Sequence, residues 1–180
     1  TKQESDIIQS SVYIPELAHD LIEEINFAAR KSEYVDFKSG VSARLSITAF
    51  ENLVSTAKRR MLINNEKKTS IRLSDFTGII PAINGKIELV YEGEEQGTDQ
   101  ISFNLINEGV KTIFLRFFPE ISKLEKPNEA TPYDKILTWF VENGTELFLG
   151  DEFTNKEYQD SLDEIKPLNE LVKKYCKEIN

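Results

Sequence analysis

The sequence predicts an all-α protein, and three observations carry that prediction. Apolar residues recur at helical spacing in long segments: Leu17, Leu21, Ile25 and Ala28, then Ile47, Phe50, Val54, Ala57 and Met61. Helix-start chemistry recurs as well, most clearly in Thr131-Pro132-Tyr133-Asp134 and in Thr154 with Glu157. One segment alone, Lys86 to Glu92, alternates like a strand, and no partner strand is adjacent to it in the chain.

The first helix is expected from about Pro15 to Ser32, with Pro15 suited to a first helical position. A polar stretch from Ser32 to Gly40 interrupts the pattern. The second helix has three candidate caps, Ser42, Ser46 and Thr48, and Thr48 has Glu51 three residues on, as a capping box requires. Lys58, Arg59 and Arg60 fall in its last turn, where cations favour the negative end of the helix dipole. Asn64 to Lys68 reads as a loop, and Ser74-Asp75 as the start of a short helix ending near Pro81 or Asn84-Gly85. In Lys86 to Glu92, Ile87, Val90 and Tyr91 also share a helical face, so the reading leans to helix.

Asp99 opens a long helix with Ile101, Leu105, Ile106, Gly109, Ile113 and Phe117 inward. Residues 119–131 form a linker marked by Pro119, Pro127 and Asn128, which divides the chain into residues 1–118 and 119–180. The helix after Thr131 turns Ile136, Leu137 and Phe140 inward and stops at Asn143-Gly144. A helix capped by Thr154 runs through Ile165. The last begins at Pro167 with Leu168, Leu171, Val172 and Tyr175 on one side.

Composition bounds the function. Of 180 residues, 39 % are apolar and 29 % charged, the profile of a folded globular protein. No apolar run approaches the roughly 18 residues needed to cross a bilayer, and the first residues lack the apolar core of a signal peptide. Cys176 is the one cysteine, which excludes an internal disulfide and a thiolate zinc cage. A reducing cytoplasm fits, and the lack of an opening Met suggests an excerpt of a longer protein. Residues 1–72 carry 11 Lys/Arg against 10 Asp/Glu, a net +1, and the remainder 11 against 21, a net −10. Such an acidic half repels a polyphosphate backbone, so nucleic acid is not an expected partner, nor is a membrane.

No Gly-x-x-x-x-Gly-Lys-Ser/Thr loop is present to wrap a triphosphate, and no apolar strand leads into paired acids that would hold magnesium. Hydrolysis of a nucleotide by this chain alone is therefore not expected. His19 has no second ligand four residues on, and Glu92, Glu94 and Glu95 lack the interleaving of a cation loop, so both are read as solvated surface. Cys176 has no base beside it and reads as a buried or idle thiol. Lys58-Arg59-Arg60 could meet a phosphate or an acidic partner, with a solvated helix end as the competing reading.

Ser39-Gly40-Val41-Ser42-Ala43-Arg44 stands apart. It sets a glycine, small residues and an arginine just before an amphipathic helix, where unpaired backbone amides attract anions. Gly40 permits a tight approach, Ser42 leaves room for another surface, and the Arg44 fork matches phosphate oxygens. An ion pair from Arg44 to Asp36 or Glu51 is the competing use.

The stretch Tyr34 to Ile47 with this Gly-x-Ser-x-Arg motif resembles the sensor-2 region of magnesium-chelatase-like and MoxR-like AAA+ ATPases. The downstream pieces Asp75-Phe76, Ile80 to Glu94, Trp139-Phe140 and the capped helices after Thr154 are also similar to chelatase-related bacterial ATPases. The resemblance implies an AAA+ lid-type helical bundle over residues 1–118 and a smaller helical extension over 119–180. It implies that Arg44, with Gly40 and Ser42 beside it, contacts ATP that is held with Mg2+ mainly by an upstream ATPase core domain. A homo-oligomeric ring and an unspecified client protein, or metal chelation, follow from the same likeness. The alternative is a non-catalytic helical module whose acidic half binds a basic partner.

Overall fold

The computed structural model describes residues 11–36, 41, 43–121, 130–144 and 146–177. The described residues form eight α-helices, one 3-10 helix and a sheet of two two-residue strands, so the fold is all-α. The chain divides into two compact units, Thr1–Ile113 and Phe114–Asn180. That division falls within a helix rather than at the linker expected after residue 118.

The first unit begins with β1 (Val12–Tyr13), which pairs in parallel with β2 (Thr69–Ser70). α1 (Glu16–Lys31) starts one residue later than its sequence suggests, with Pro15 as the extended cap. Its buried face is Ala18, Leu21, Ile22, Ile25, Asn26 and Ala29, while Leu17 and Ala28 are only half-buried. α2 (Ala43–Ile63) buries Leu45, Ala49, Leu53, Ala57 and Met61. The inward face predicted from Ile47, Phe50 and Val54 is thus corrected: Ile47 is 60 % exposed, and Phe50 and Val54 are half-buried. Two stripes at helical spacing coexist on this helix, and both include Ala57 and Met61. Packing selects the one that runs through Leu45, Ala49 and Leu53. Because α2 begins at Ala43, Thr48 and Ser46 lie inside it and cannot cap it; Ser42 falls outside the described residues.

The 3-10 helix Leu73–Ile79 leads directly into α3 (Ile80–Asn84), with proline in its first turn and Gly85 at its end. The lean toward helix in Lys86 to Glu92 is overturned for its first half. Leu89 forms an antiparallel bridge with Val35, the Asp36 N–H donates to the Glu88 carbonyl at 2.8 Å, and the Val90 N–H to Tyr34 at 3.0 Å. The partner lies 54 residues upstream, beyond any local reading of the chain. Helix resumes as α4 (Tyr91–Gln96), where Gly93 is packed so closely that a Cβ would stand 2.7 Å from the Tyr34 carbonyl oxygen.

α5 (Thr98–Phe117) buries Ile101, Ser102, Leu105, Ile106 and Gly109, as its spacing predicts, with Ile113 and Phe117 half-buried. Gly109 lets it lie against α1: a Cβ there would come within 2.9 Å of Ile25 Cγ1.

Arg60, in the last turn of α2, is 2 % exposed rather than solvated. Its Nε and Nη2 donate to the two carboxylate oxygens of buried Asp75 at 3.0 and 2.9 Å. Nη1 donates to Thr69 Oγ1 at 2.9 Å and Nη2 to the Ser70 carbonyl at 2.8 Å. Asp75 also accepts the Arg72 N–H at 2.7 Å, which fixes the start of the 3-10 helix. The basic triplet is therefore split: Arg59 faces solvent, while Arg60 joins α2, β2 and the 3-10 helix.

In the second unit the final turn of α5 presents Phe114, which stacks on Phe118 at 4.7 Å and meets Tyr133 at 6.2 Å; Phe118 meets Tyr175 at 5.9 Å. The Tyr133 hydroxyl donates to the Pro119 carbonyl, and burial with the nearby Tyr175 pushes its pKa up. α6 (Asp134–Asn143) is preceded by Thr131, whose N–H and hydroxyl both donate to Asp134, at 2.7 and 2.6 Å. Gly144 ends it in the left-handed region at φ 57°. The expected inward face fails here. No residue of α6 is fully buried, Leu137 is exposed, and Ile136 and Phe140 are half-buried. A unit this small covers few side chains completely.

α7 (Asn155–Asp163) carries the expected capping box, with the Thr154 N–H and hydroxyl donating to Glu157 at 2.9 and 2.8 Å. It stops short of Ile165, which is buried in the link to α8 (Lys166–Tyr175). On α8 Leu171 is buried and Val172 is exposed, a partial correction of the predicted face.

Two predictions follow from these contacts. Arg60→Ala strands the Asp75 carboxylate in the interior and should cost about 3–5 kcal/mol in urea unfolding. Arg59→Ala, one residue away, should stay within about 0.5 kcal/mol of the parent. The Thr154 hydrogen bonds hold Glu157 below its ordinary value of 4.5. The stability they supply is therefore complete above that value and lost as pH falls through the lower folded-state value. Glu157→Gln keeps an acceptor without the charge. The thermal-midpoint advantage of the parent over this variant should be present at pH 6 and shrink toward zero at pH 3.

Candidate functional site

The start of α2 is held by α1. Asn26, buried mid-way along the apolar face of α1, donates through Nδ2 to the hydroxyl of Ser46 in the first turn of α2. Among the described residues Asn26 Oδ1 has no hydrogen-bond partner, so the bond to Ser46 holds this side chain. From the last turn of α1, Arg30 Nε donates to the Val41 carbonyl at 3.3 Å, just ahead of α2, while its guanidinium lies 5.6 Å from the Phe27 ring. A core hydrogen bond and a surface one thus clamp the approach to α2 from both sides.

Arg44 is the second residue of α2 and its side chain is exposed. Gly40 and Ser42, the other members of the motif, lie outside the described residues. Helical spacing puts Arg44 in one row with Ile47, Glu51, Ser55 and Lys58. The last four of that row line a groove of about 780 Å³ between α1 and α2, together with His19, Ile22, Phe50 and Val54. The exposed first turn of a long helix combines outward backbone amides with the positive end of the dipole. A guanidinium there can donate two parallel hydrogen bonds to a phosphate or carboxylate.

Of the remaining candidates, His19 and Lys58 line this groove. His19 stacks on Phe50 at 4.8 Å, on the wall of the groove. Glu92, Glu94 and Glu95 are exposed on α4. Cys176 is half-buried, and burial pushes its thiol pKa up. Among the described residues no group of three His, Cys, Asp or Glu side chains could hold a metal ion.

Asn26 and Arg30 were not singled out from sequence. Asn26 carried a signal, an amide on the stripe of Leu21, Ile22, Ile25 and Ala29 where an apolar residue is expected; Arg30 carried none beyond its place near a helix end. Ser46→Ala leaves the Asn26 amide buried without an acceptor. It should lower stability by about 1–3 kcal/mol in urea unfolding.

Comparison of the chain with protein-family models, with curated proteins and with solved structures finds no match in any of the three.

Proposed function

We propose that this chain is the lid and C-terminal helical region of an AAA+ ATPase of the magnesium-chelatase-like, MoxR-like branch, with Arg44 as its sensor-2 arginine. The observation that carries the reading is the exposed Arg44 side chain in the first turn of a helix whose start is clamped by Asn26–Ser46 and Arg30–Val41. The motif likeness of residues 34–47 adds to it. In this reading the triphosphate sits on an upstream core domain. Arg44 reaches its terminal phosphate, and the fork of donors offsets charge that develops on the transferred group. In this reading the hydrogen bonds from Asn26 and Arg30, which join the start of α2 to α1, are the route by which a shift of that guanidinium reaches the body of the lid. The magnesium ion, like the nucleotide, is in this reading held mainly by the core domain, and no step is routed through it here. A cytoplasmic ring of such subunits acting on a client protein, or in metal chelation, completes the proposal. No helix of the described residues is long and apolar enough to cross a membrane.

The test joins this chain to the ATPase domain of its own polypeptide and measures steady-state hydrolysis. Arg44→Ala should lower kcat by on the order of 10²-fold, as loss of a preorganised donor does, with KM changed much less. Arg44→Lys keeps the charge without the fork and should recover part of the loss. An unchanged kcat in both variants overturns the sensor assignment.

A further inference from the structure

The basic stretch at the end of α2 is not used by the nucleotide reading, and the fold builds a surface around it. Residues 58–72 hold six cations, Lys58, Arg59, Arg60, Lys67, Lys68 and Arg72, against one acid, Glu66, in a chain of net charge −9. Arg60 and Arg72 are buried, whereas Arg59 and Lys67 are exposed. Four large apolar side chains come to the same end of the first unit, each more than half exposed: Tyr13, Leu62, Ile63 and Leu73.

Their gathering follows from hydrogen bonds between segments distant in the chain. Arg60 ties the end of α2, with Leu62 and Ile63 just beyond it, to Thr69 and Ser70. Tyr13 is the β1 partner of Ser70, and its carbonyl accepts the Ile71 N–H at 3.0 Å. Asp75 holds the Arg72 N–H, which places Leu73 at the head of the 3-10 helix. Sequence separations of up to 60 residues are thereby closed around one guanidinium.

We infer that this end of the first unit is a docking surface for an acidic protein segment with apolar anchors, such as an amphipathic helix flanked by Glu or Asp. The exposed aliphatic side chains supply the area that such anchors cover, and exposed clusters of this kind mark interaction sites. Arg59 and Lys67 select the charge of the partner. A nucleic acid would instead need stacking rings and a longer row of cations, and the net charge opposes it. An anionic membrane is served by clusters of roughly four to eight exposed cations; of the six here three are exposed, Arg59, Lys67 and Lys68. The inference does not depend on the role of Arg44.

The probe is a fluorescein-labelled synthetic helix with leucines at i, i+3, i+4 and i+7 and glutamates on both flanks. A lysine-flanked copy is the control, and both are titrated with the full 180-residue chain by fluorescence anisotropy. The acidic peptide should bind at least tenfold more tightly than its basic copy, and more weakly as salt rises. Leu62→Ser with Leu73→Ser, and separately Arg59→Glu with Lys67→Glu, should each weaken binding at least tenfold. Thermal midpoints should stay near the parent value, since all four side chains are exposed. The variant Arg44→Ala should bind the peptide as the parent does. Equal binding of both peptides, no binding, or unchanged binding by both double variants overturns the inference. So does co-sedimentation with 30 % phosphatidylserine vesicles, or concentration-dependent self-association, that the same double variants abolish.

Discussion

A single buried ion pair organises the first unit. The Arg60 guanidinium uses three nitrogens on four acceptors, two of them the oxygens of Asp75, and in doing so joins the end of the longest helix to a strand and to the 3-10 turn. Removing two charges from water costs several kcal/mol each, so such a pair persists only where geometry is close to ideal and the remaining polar atoms are satisfied. Those conditions dictate much around it. Thr69 must present its hydroxyl, Ser70 its carbonyl, and the backbone at Arg72 must turn so that its N–H meets Asp75. β1 then has a strand to pair with, and the chain from Val12 into α1 acquires its starting point.

The opposite end of α2 is positioned by a different device. Asn26 reaches out of the α1 core stripe to Ser46, and Arg30 reaches across the surface to the Val41 carbonyl. α2 is thus anchored at both ends by polar contacts, with an apolar middle of Leu45, Ala49, Leu53 and Ala57 between them. This separation lets one helix display two chemically distinct surfaces, an arginine at its beginning and a basic, apolar patch at its end. The two are about 20 residues apart, or roughly 30 Å along the axis.

The second unit is held by smaller means. The hydroxyl cap at Thr154, the Thr131–Asp134 hydrogen bonds ahead of α6, a left-handed glycine at Gly144 and the ring cluster of Phe114, Phe118, Tyr133 and Tyr175 define its helices. The helix start expected at Thr131-Pro132 falls instead at Asp134, with Tyr133 as its cap. Only Ile165 and Leu171 are buried apolar side chains among its described residues. Local signals consequently carry more of its structure than packing does, which is why the Thr154 cap and the Gly144 stop are so readable in the chain.

Sequence by itself determined the helical class, most helix boundaries to within a residue or two, the Thr154 cap and the Gly144 stop. Those features are local: spacing, cap hydroxyls and glycine stops act over three to seven residues. Only the tertiary structure decided which of two equivalent stripes on α2 turns inward, and that Leu89 pairs with Val35. It also decided that one arginine of a basic triplet is buried while its neighbour faces solvent. Each of these depends on a partner 15 to 54 residues away in the chain, as in Arg60–Asp75 and Val35–Leu89. Periodicity reports that a residue lies on a face; it carries no information about which distant group will meet that face.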